Sequence, residues 1–526
     1  MTIASPWPSQ APYPKQHLSE CLRQVAEQQP DKTALIGPDE RFYSFGEVWD
    51  ASRRIARMLQ EDAGIRKGEV VAIFASNSPE YVVAVHGILL AGGVVTTVNP
   101  QYRELELVYQ LCNSGTVALF GMRALLPLVG MVRDELEECS SLRRTYAIHD
   151  IWDMAAAAGG YAEPVTIDPE KDLAALPYSS GTTGLPKGVM LTHHNVCSNL
   201  RQNLATGLAR PGAVSLDFLP FDHIYGLIPV MNVGLANASA QVIIPHFDAH
   251  LVLYLIHKYG VTDLFVVPPA LRSLIDLAEQ GQKYDTSSLR FIVSGAAPLL
   301  ARTAQAAQRL FGCPVIQGYG LTEASPVTNI NPLSQPKLDS VGPPVSDTEE
   351  KVVSTETGEE LPAGEIGELL IRGPQVMQGY WNQPEATAEA ITPDGWLRTG
   401  DICRFDEDGY VYVLDRKKDT INYKGYSVAP AELEAVLRQH PSVLDAAVIP
   451  KSDVAAGEIA KAFVVARPGQ RPTTRDIIQF VEDRVAPHKK IREVEFVWEL
   501  PKSATGEVLR RELIERERAR NEESVN

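Results

Sequence analysis

The sequence predicts an α/β fold: a large N-terminal domain of layered α/β subdomains, a β-rich subdomain after it, and a small α+β C-terminal domain. Three observations carry this. Short β-branched runs alternate with amphipathic helical stretches in the first two thirds of the chain, the signature of largely parallel sheets. After Ser340 the texture changes to hairpin-like strands with Asp-Gly turns, and beyond Asp415 a compact mixture of helices and strands follows.

In order, Val70-Val71-Ala72-Ile73-Phe74, Val94 to Val98, Val242-Ile243-Ile244 and Leu264 to Val267 read as buried strands. Tyr81 to Val98 is the longest apolar stretch. It is interrupted by His86, Gly87, Gly92, Gly93, Thr96 and Thr97, so it reads as a buried helix leading into a strand and not as a membrane span. Glu365 to Ile371 and Tyr410 to Val413 read as strands, with turns at Asp394-Gly395 and Asp408-Gly409. In the tail, Pro430 sits where a helix starts, Ala431 to Gln439 and Thr474 to Ala486 have helical period, and Val443 to Ile449 and Ala462 to Ala466 read as strands. Val508 to Glu523 is a charged terminal helix. The expected division is 1–415 for a large N-terminal domain and 416–526 for a small C-terminal domain.

Composition narrows the function classes. Hydrophobic residues make up 44% of the 526 and charged residues 22%, as in ordinary globular enzymes. The net charge of −17 argues against nucleic acid as a partner. That charge lies in the first 415 residues, because from Arg416 onward 20 Lys and Arg face 18 Asp and Glu. The six cysteines form no C-x-x-C pair and suggest neither a zinc site nor a disulfide framework. The N-terminal stretch shows no basic segment followed by an apolar run, so the expectation is a cytoplasmic enzyme.

The segment from Tyr178 to Met190, YSSGTTGLPKGVM, reads as a phosphate loop. Gly181, Gly184 and Gly188 let backbone N–H groups approach an anion, Ser179, Ser180, Thr182 and Thr183 add hydroxyl donors, and Lys187 supplies positive charge. Lys187 is followed by Gly188 where a Walker loop carries Ser or Thr for magnesium, so a P-loop NTPase is disfavoured. A solvated Gly/Thr turn is the plainer alternative.

With this loop, Gln317-Gly318-Tyr319-Gly320-Leu321-Thr322-Glu323, the Thr399-Gly400-Asp401 segment and Phe221-Asp222-His223-Ile224-Tyr225-Gly226, the chain resembles the adenylate-forming superfamily, which comprises acyl-CoA synthetases, peptide-synthetase adenylation domains and luciferase. The branch it looks most like is 4-coumarate:CoA ligase. The resemblance runs from about Tyr43 to Leu513, with the motifs in family order. It implies a reaction in two halves: a small carboxylate attacks the α-phosphate of ATP to give an acyl-adenylate, and the thiol of coenzyme A then displaces AMP. Both halves gather negative charge, so phosphate donors, Mg and a movable cation are needed.

By resemblance, Gln317, Gly318, Tyr319 and Gly320 form the nucleotide cradle with Tyr319 stacking on adenine, Thr322 binds the α-phosphate, Glu323 handles Mg, Asp401 binds ribose, and Arg416 makes a second ribose or phosphate contact. His223 orients the carboxylate or gates thiol entry. Tyr225, Gly226, Pro269, Gly295, Pro326 and Val327, together with Gly318 and Gly320, fall where the family lines its acyl pocket, although each serves equally well as core packing. Lys424 lies on the face implied for thioester formation, after rotation about a hinge near Asp415 to Lys418.

The chain departs from the family at one decisive place. The family's Pro-Lys-x-x-x-Gly-Lys segment ends in a lysine that bridges the substrate carboxylate and the α-phosphate, and here it reads Pro501-Lys502-Ser503-Ala504-Thr505-Gly506-Glu507. At ~4 Å and an effective dielectric near 20, a unit-charge pair is worth about 4 kcal/mol, so reversing the sign opposes adenylation. Asn422 and Ser427 also stand where the 4-coumarate ligases carry lysine and glutamine. The expectation is an acyl-CoA synthetase homologue deficient in adenylation, which turns an acyl-adenylate from a separate adenylating enzyme, plus CoA, into acyl-CoA and AMP. The alternatives are an ordinary ATP-dependent ligase and a non-catalytic nucleotide- or acyl-adenylate-binding protein.

Overall fold

The computed structural model describes the chain except residues 1, 2, 4, 140, 141, 180–184, 282, 283, 298, 300, 356, 417–420, 429, 502–507, 509 and 524–526; at 137–139, 414–416, 427, 431, 511, 519 and 521–523 it describes the backbone alone. Internal contacts divide the chain into two compact units. The first is Met1–Pro100, Val108–Ser179 and Gly188–Asp415, and the second is Arg416–Asn526 with Gln101–Leu107 and Ser180–Lys187.

The first unit is α/β, as the alternation of runs predicts. One of its sheets orders Val327–Ile330, Val315–Gly320, Phe291–Ser294, Asp263–Val266, Val214–Asp217, Ala240–Ile243, Thr33–Ile36 and Phe42–Ser44. The six inner strands pair in parallel and the two edge strands antiparallel. Parallel strands are covered on both faces, which explains why they read as unbroken apolar runs. The second sheet runs Gly379–Tyr380, Lys187–Thr192, Leu173–Ala175, Val94–Val98, Val70–Phe74, Ala118–Gly121 and Arg144–Ala147. Tyr81 to Val98 resolves into helix Pro79–Leu90 and strand Val94–Val98, with Ser78 capping the helix through its hydroxyl and Pro79 at its first turn.

The β-rich region after Ser340 forms a sheet ordered Glu349–Val353, Gly367–Arg372, Leu397–Phe405 and Val411–Arg416. Gly395 and Gly409 take φ of 85° and 80° in the two Asp-Gly turns, the left-handed geometry that glycine allows without strain.

In the second unit, strands Val443–Asp453 and Gly457–Ala466 form a long hairpin, and Ile491–Phe496 pairs parallel to Gly457–Ala466. Helices Pro430–Arg438 and Thr474–Glu482 bury Leu433, Leu437, Ile477 and Val481 on one face of this sheet. On the other face, helix Arg510–Glu523 seats Leu513 against Ile449 and Phe463. Ten of the 14 residues of that helix are charged, and Lys461 anchors it to the sheet by pairing with Glu517 at 2.6 Å and Glu495 at 2.9 Å.

Cys112 is disulfide-bonded, although no disulfide framework was suggested by spacing; pairing is decided by which helices and loops meet, and spacing does not report that. Cys21, Cys197, Cys313 and Cys403 are free and buried. Among the described residues no helix is long and apolar enough to cross a membrane.

Candidate active site

Strand Val315–Gly320 carries the first cluster at its C-terminal end, where open α/β sheets place their ligands. Gly320 turns back against Pro326, and a Cβ there would lie 2.2 Å from the Pro326 carbonyl oxygen, so only glycine fits. The turn between them is a short helix at Thr322–Ala324, followed by Ser325 in the left-handed region at φ 67°. Gln317 is committed to the scaffold: its Oε1 accepts from the Leu299 N–H at 3.0 Å and its Nε2 donates to the Leu338 carbonyl at 2.6 Å. Tyr319, half-buried, donates its phenol proton to Asp401 Oδ2 at 2.5 Å, and the Asp401 N–H is held by Thr399 Oγ1 at 3.0 Å.

Glu323 is the second focus. Its Oε1 accepts from Ser179 Oγ and from Tyr380 Oη, each at 2.9 Å, and its carbonyl accepts from the Met377 N–H at 2.8 Å. Burial and the neighbouring carboxylate push the Tyr380 phenol pKa far up, keeping it a donor. Tyr380 was not singled out from sequence, because no local motif announces a phenol that reaches a carboxylate 57 positions away. Lys187 opens strand Lys187–Thr192 and is half-buried. Ser180, Gly181, Thr182, Thr183 and Gly184 lie outside the described residues. Among the described residues no group of three His, Cys, Asp or Glu could hold a metal. One carboxylate beside a hydroxyl fits a magnesium ion that arrives with nucleotide phosphates, since Mg keeps most of its shell as water and phosphate oxygen.

His223 lies in the loop before a π-helical stretch, Gly226–Asn232. A Cβ on Gly226 would fall 2.1 Å from the Pro220 carbonyl oxygen, so the chain can close this turn only with glycine. Solvent reaches His223, yet protein crowds the recess around it, and desolvation lowers its pKa to about 4. It is therefore neutral at pH 7. Its Nδ1 accepts from the Tyr225 N–H at 3.2 Å, which fixes the proton on Nε2.

The Tyr225 ring covers Gly295, where a Cβ would stand 2.9 Å from its Cε1. Pro269 is in the first turn of helix Pro268–Glu279 and half-buried. Pro326 is buried in the turn after Ser325, and Val327 packs into a core cluster with Phe291, Val293 and Ile316. The described contacts thus join Tyr225 to Gly295, Tyr319 to Asp401, and Ser179 to Glu323.

In the second unit Lys424 is exposed on a left-handed residue, φ 50°, with its N–H on the Ala456 carbonyl at 2.8 Å. Its Nζ sits 5.5 Å from the Tyr423 ring centroid, over which Arg492 also stacks at 3.7 Å. The Asn422 N–H donates to Glu458 Oε2 at 2.7 Å. The side chains of Arg416 and Ser427, and all of Glu507, lie outside the described residues.

A first unit of two α/β sheets and a β-rich sheet, with a hydroxyl- and carboxylate-lined end, followed in the chain by a small α+β unit, is the organisation of the adenylate-forming class. Comparison with known proteins agrees. The family model described as AMP-binding enzyme matches residues 22–381, and that of the AMP-binding enzyme C-terminal domain matches 432–507. A long-chain-fatty-acid–CoA ligase of Bacillus subtilis is 37% identical, with 97% of this chain and 96% of that protein aligned. A 4-coumarate–CoA ligase of Pinus taeda is 38% identical, with 94% of each aligned. Among solved structures, a double mutant of o-succinylbenzoate CoA synthetase from Bacillus subtilis, bound with its product analogue OSB-NCoA, superimposes with a TM-score of 0.83 at 30% identity, covering 95% of this chain and 98% of that one. The chain belongs to the AMP-binding enzyme family, and within it to the acyl-CoA ligases.

Proposed function

We propose that this chain is an acyl-CoA ligase impaired in the adenylation half, converting a pre-formed acyl-adenylate and CoA into acyl-CoA and AMP. The observation that carries the reading is Glu507, which stands where the family places its bridging lysine. A carboxylate there repels both the substrate carboxylate and the α-phosphate, and losing even half of the ~4 kcal/mol attraction slows adenylation by more than about tenfold.

In the thioester half the thiol sulfur bonds to the acyl carbon, the acyl–phosphate oxygen bond breaks, AMP leaves, and the thiol proton passes to solvent. Tyr319 and Asp401 hold adenine and ribose, with Arg416 as a second contact. Thr322 and the loop Ser179 to Lys187 hold the phosphate. Glu323 would hold Mg, which would supply charge neutralisation at the phosphate. Neutral His223 donates through Nε2 toward the acyl group, and Tyr225 over Gly295 bounds the acyl pocket. Lys424 serves the thioester half. The setting is cytoplasmic, and the adenylate comes from a separate adenylating enzyme.

Similarity along nearly the whole chain to named CoA ligases favours a second reading, an ordinary ligase performing both halves. Paired assays by mass spectrometry separate the two. Free acids with ATP, Mg and CoA go into one tube, and the matching synthetic acyl-adenylates with CoA into the other. Thioester from the adenylates alone is expected. Thioester from the free acids at a comparable rate would sink the impaired-adenylation reading.

A further inference from the structure

We propose that Asn195 is a positioning residue for the nucleotide site, setting the register between the strand that Lys187 opens and the segment 374–381 that holds Glu323. The proposal rests on reading Glu323 and Thr322 as nucleotide-site residues and is independent of whether adenylation survives.

Asn195 is the third residue of helix His193–Ala205 and is 8% exposed. Its Oδ1 accepts from the Thr192 N–H at 3.0 Å and from Thr192 Oγ1 at 2.8 Å, closing a capping box on the last residue of strand Lys187–Thr192. Its Nδ2 donates to two carbonyls far along the chain, Pro374 and Val376, each at 2.9 Å. Capping the helix requires only the oxygen. The two donations do something else: they fix the segment 374–376 against the end of the phosphate-loop strand.

That segment holds the site from its other side. The Met377 N–H donates to the Glu323 carbonyl, and the Gln375 carbonyl accepts from Ser325 Oγ at 2.8 Å. The chain then pairs with the phosphate-loop strand itself: Gln378 N–H to the Met190 carbonyl at 3.0 Å, Tyr380 opposite Val189, and Trp381 N–H to the Gly188 carbonyl at 2.8 Å. Tyr380, placed by that ladder, donates to Glu323. One turn further along the helix, Asn199 grips Val327, three residues past the Thr322–Ala324 turn, donating to its carbonyl at 2.7 Å and accepting its N–H at 3.1 Å. A single helix face thereby holds the Thr322–Glu323 turn from two directions. Removing the Asn195 amide takes from two half-buried carbonyls the donor they have among the described residues and releases the segment that orients Glu323.

Asn195→Asp keeps the capping acceptor and removes both donations, and Asn195→Ser removes them without adding charge. The expected result for either folded variant is AMP affinity lower by about tenfold in calorimetry. In thioester formation from a synthetic acyl-adenylate, kcat falls by a similar factor while the KM for CoA is unchanged. AMP affinity and kcat within twofold of wild type in a folded variant would overturn the proposal. So would failure of both variants to fold, which would make Asn195 merely structural. Wild-type protein that binds no AMP would instead overturn the nucleotide-site reading, and the proposal with it.

Discussion

Tyr319 donates its phenol proton to Asp401 across 2.5 Å, joining strand Val315–Gly320 of an α/β sheet to the β-rich sheet. The ring proposed to stack on adenine is therefore held by the carboxylate proposed to bind ribose, and neither is set independently. Hydrogen bonds to a charged group are worth about 1.5–3 kcal/mol. Tyr319→Phe keeps the ring and releases Asp401. Its expected effect is a lowered thermal midpoint and a several-fold loss of AMP affinity, with Tyr319→Leu weaker still, measured by scanning and titration calorimetry.

Glu507→Lys restores the cation of the family pattern. ATP-to-pyrophosphate exchange driven by a free acid is expected to rise by more than tenfold, each ~1.4 kcal/mol of recovered attraction adding a factor of about ten. Thioester formation from a synthetic acyl-adenylate is expected to change little. An unchanged exchange rate would argue that another group governs adenylation.

Glu350 is buried on strand Glu349–Val353, where its Oε2 accepts from Asn329 Nδ2 at 3.0 Å and its Oε1 has no hydrogen-bond partner among the described residues. Desolvation raises its pKa to about 8, so the folded state holds a proton that the unfolded state releases near its ordinary value. Stability from this group is complete below about pH 4.5 and is lost as pH rises through 8. Between pH 6 and pH 9 the loss is about 2–3 kcal/mol. Glu350→Gln keeps the shape without the charge, and denaturant unfolding at the two pH values is expected to show that difference disappear.

Gly318 and Gly320 sit two residues apart and make opposite demands. A Cβ on Gly318 would meet the Asn329 carbonyl oxygen at 3.4 Å, an ordinary contact, whereas on Gly320 it would meet that of Pro326 at 2.2 Å. Gly318→Ala is expected to unfold within about 0.5 kcal/mol of wild type, since substitutions without a clash or cavity cost little. Gly320→Ala is expected to cost about 1–3 kcal/mol, because the backbone of the turn must move. Chemical denaturation of the two variants distinguishes these outcomes.

The division of labour between sequence and structure is plain at particular residues. The pattern around Val70 to Phe74 and Val94 to Val98 specified parallel strands, because a strand covered on both faces needs apolar residues at every position. The terminal helix starts at Arg510, two residues later than its charge pattern suggested, and its hold on the sheet through Lys461 has no sequence period to reveal it.

By itself the sequence determined the α/β class, the order of its strands and helices, the motifs that name the family, and the sign of the charge at Glu507, since these depend on side-chain chemistry and short-range spacing. Only the tertiary structure decided that Tyr380 reaches Glu323, that Asn195 spans to Pro374 and Val376, and that Gly320 lies against Pro326. The physical reason is that a hydrogen bond or steric contact forms wherever folding brings two atoms within about 3 Å, and strand pairing and packing, not distance along the chain, set which atoms those are.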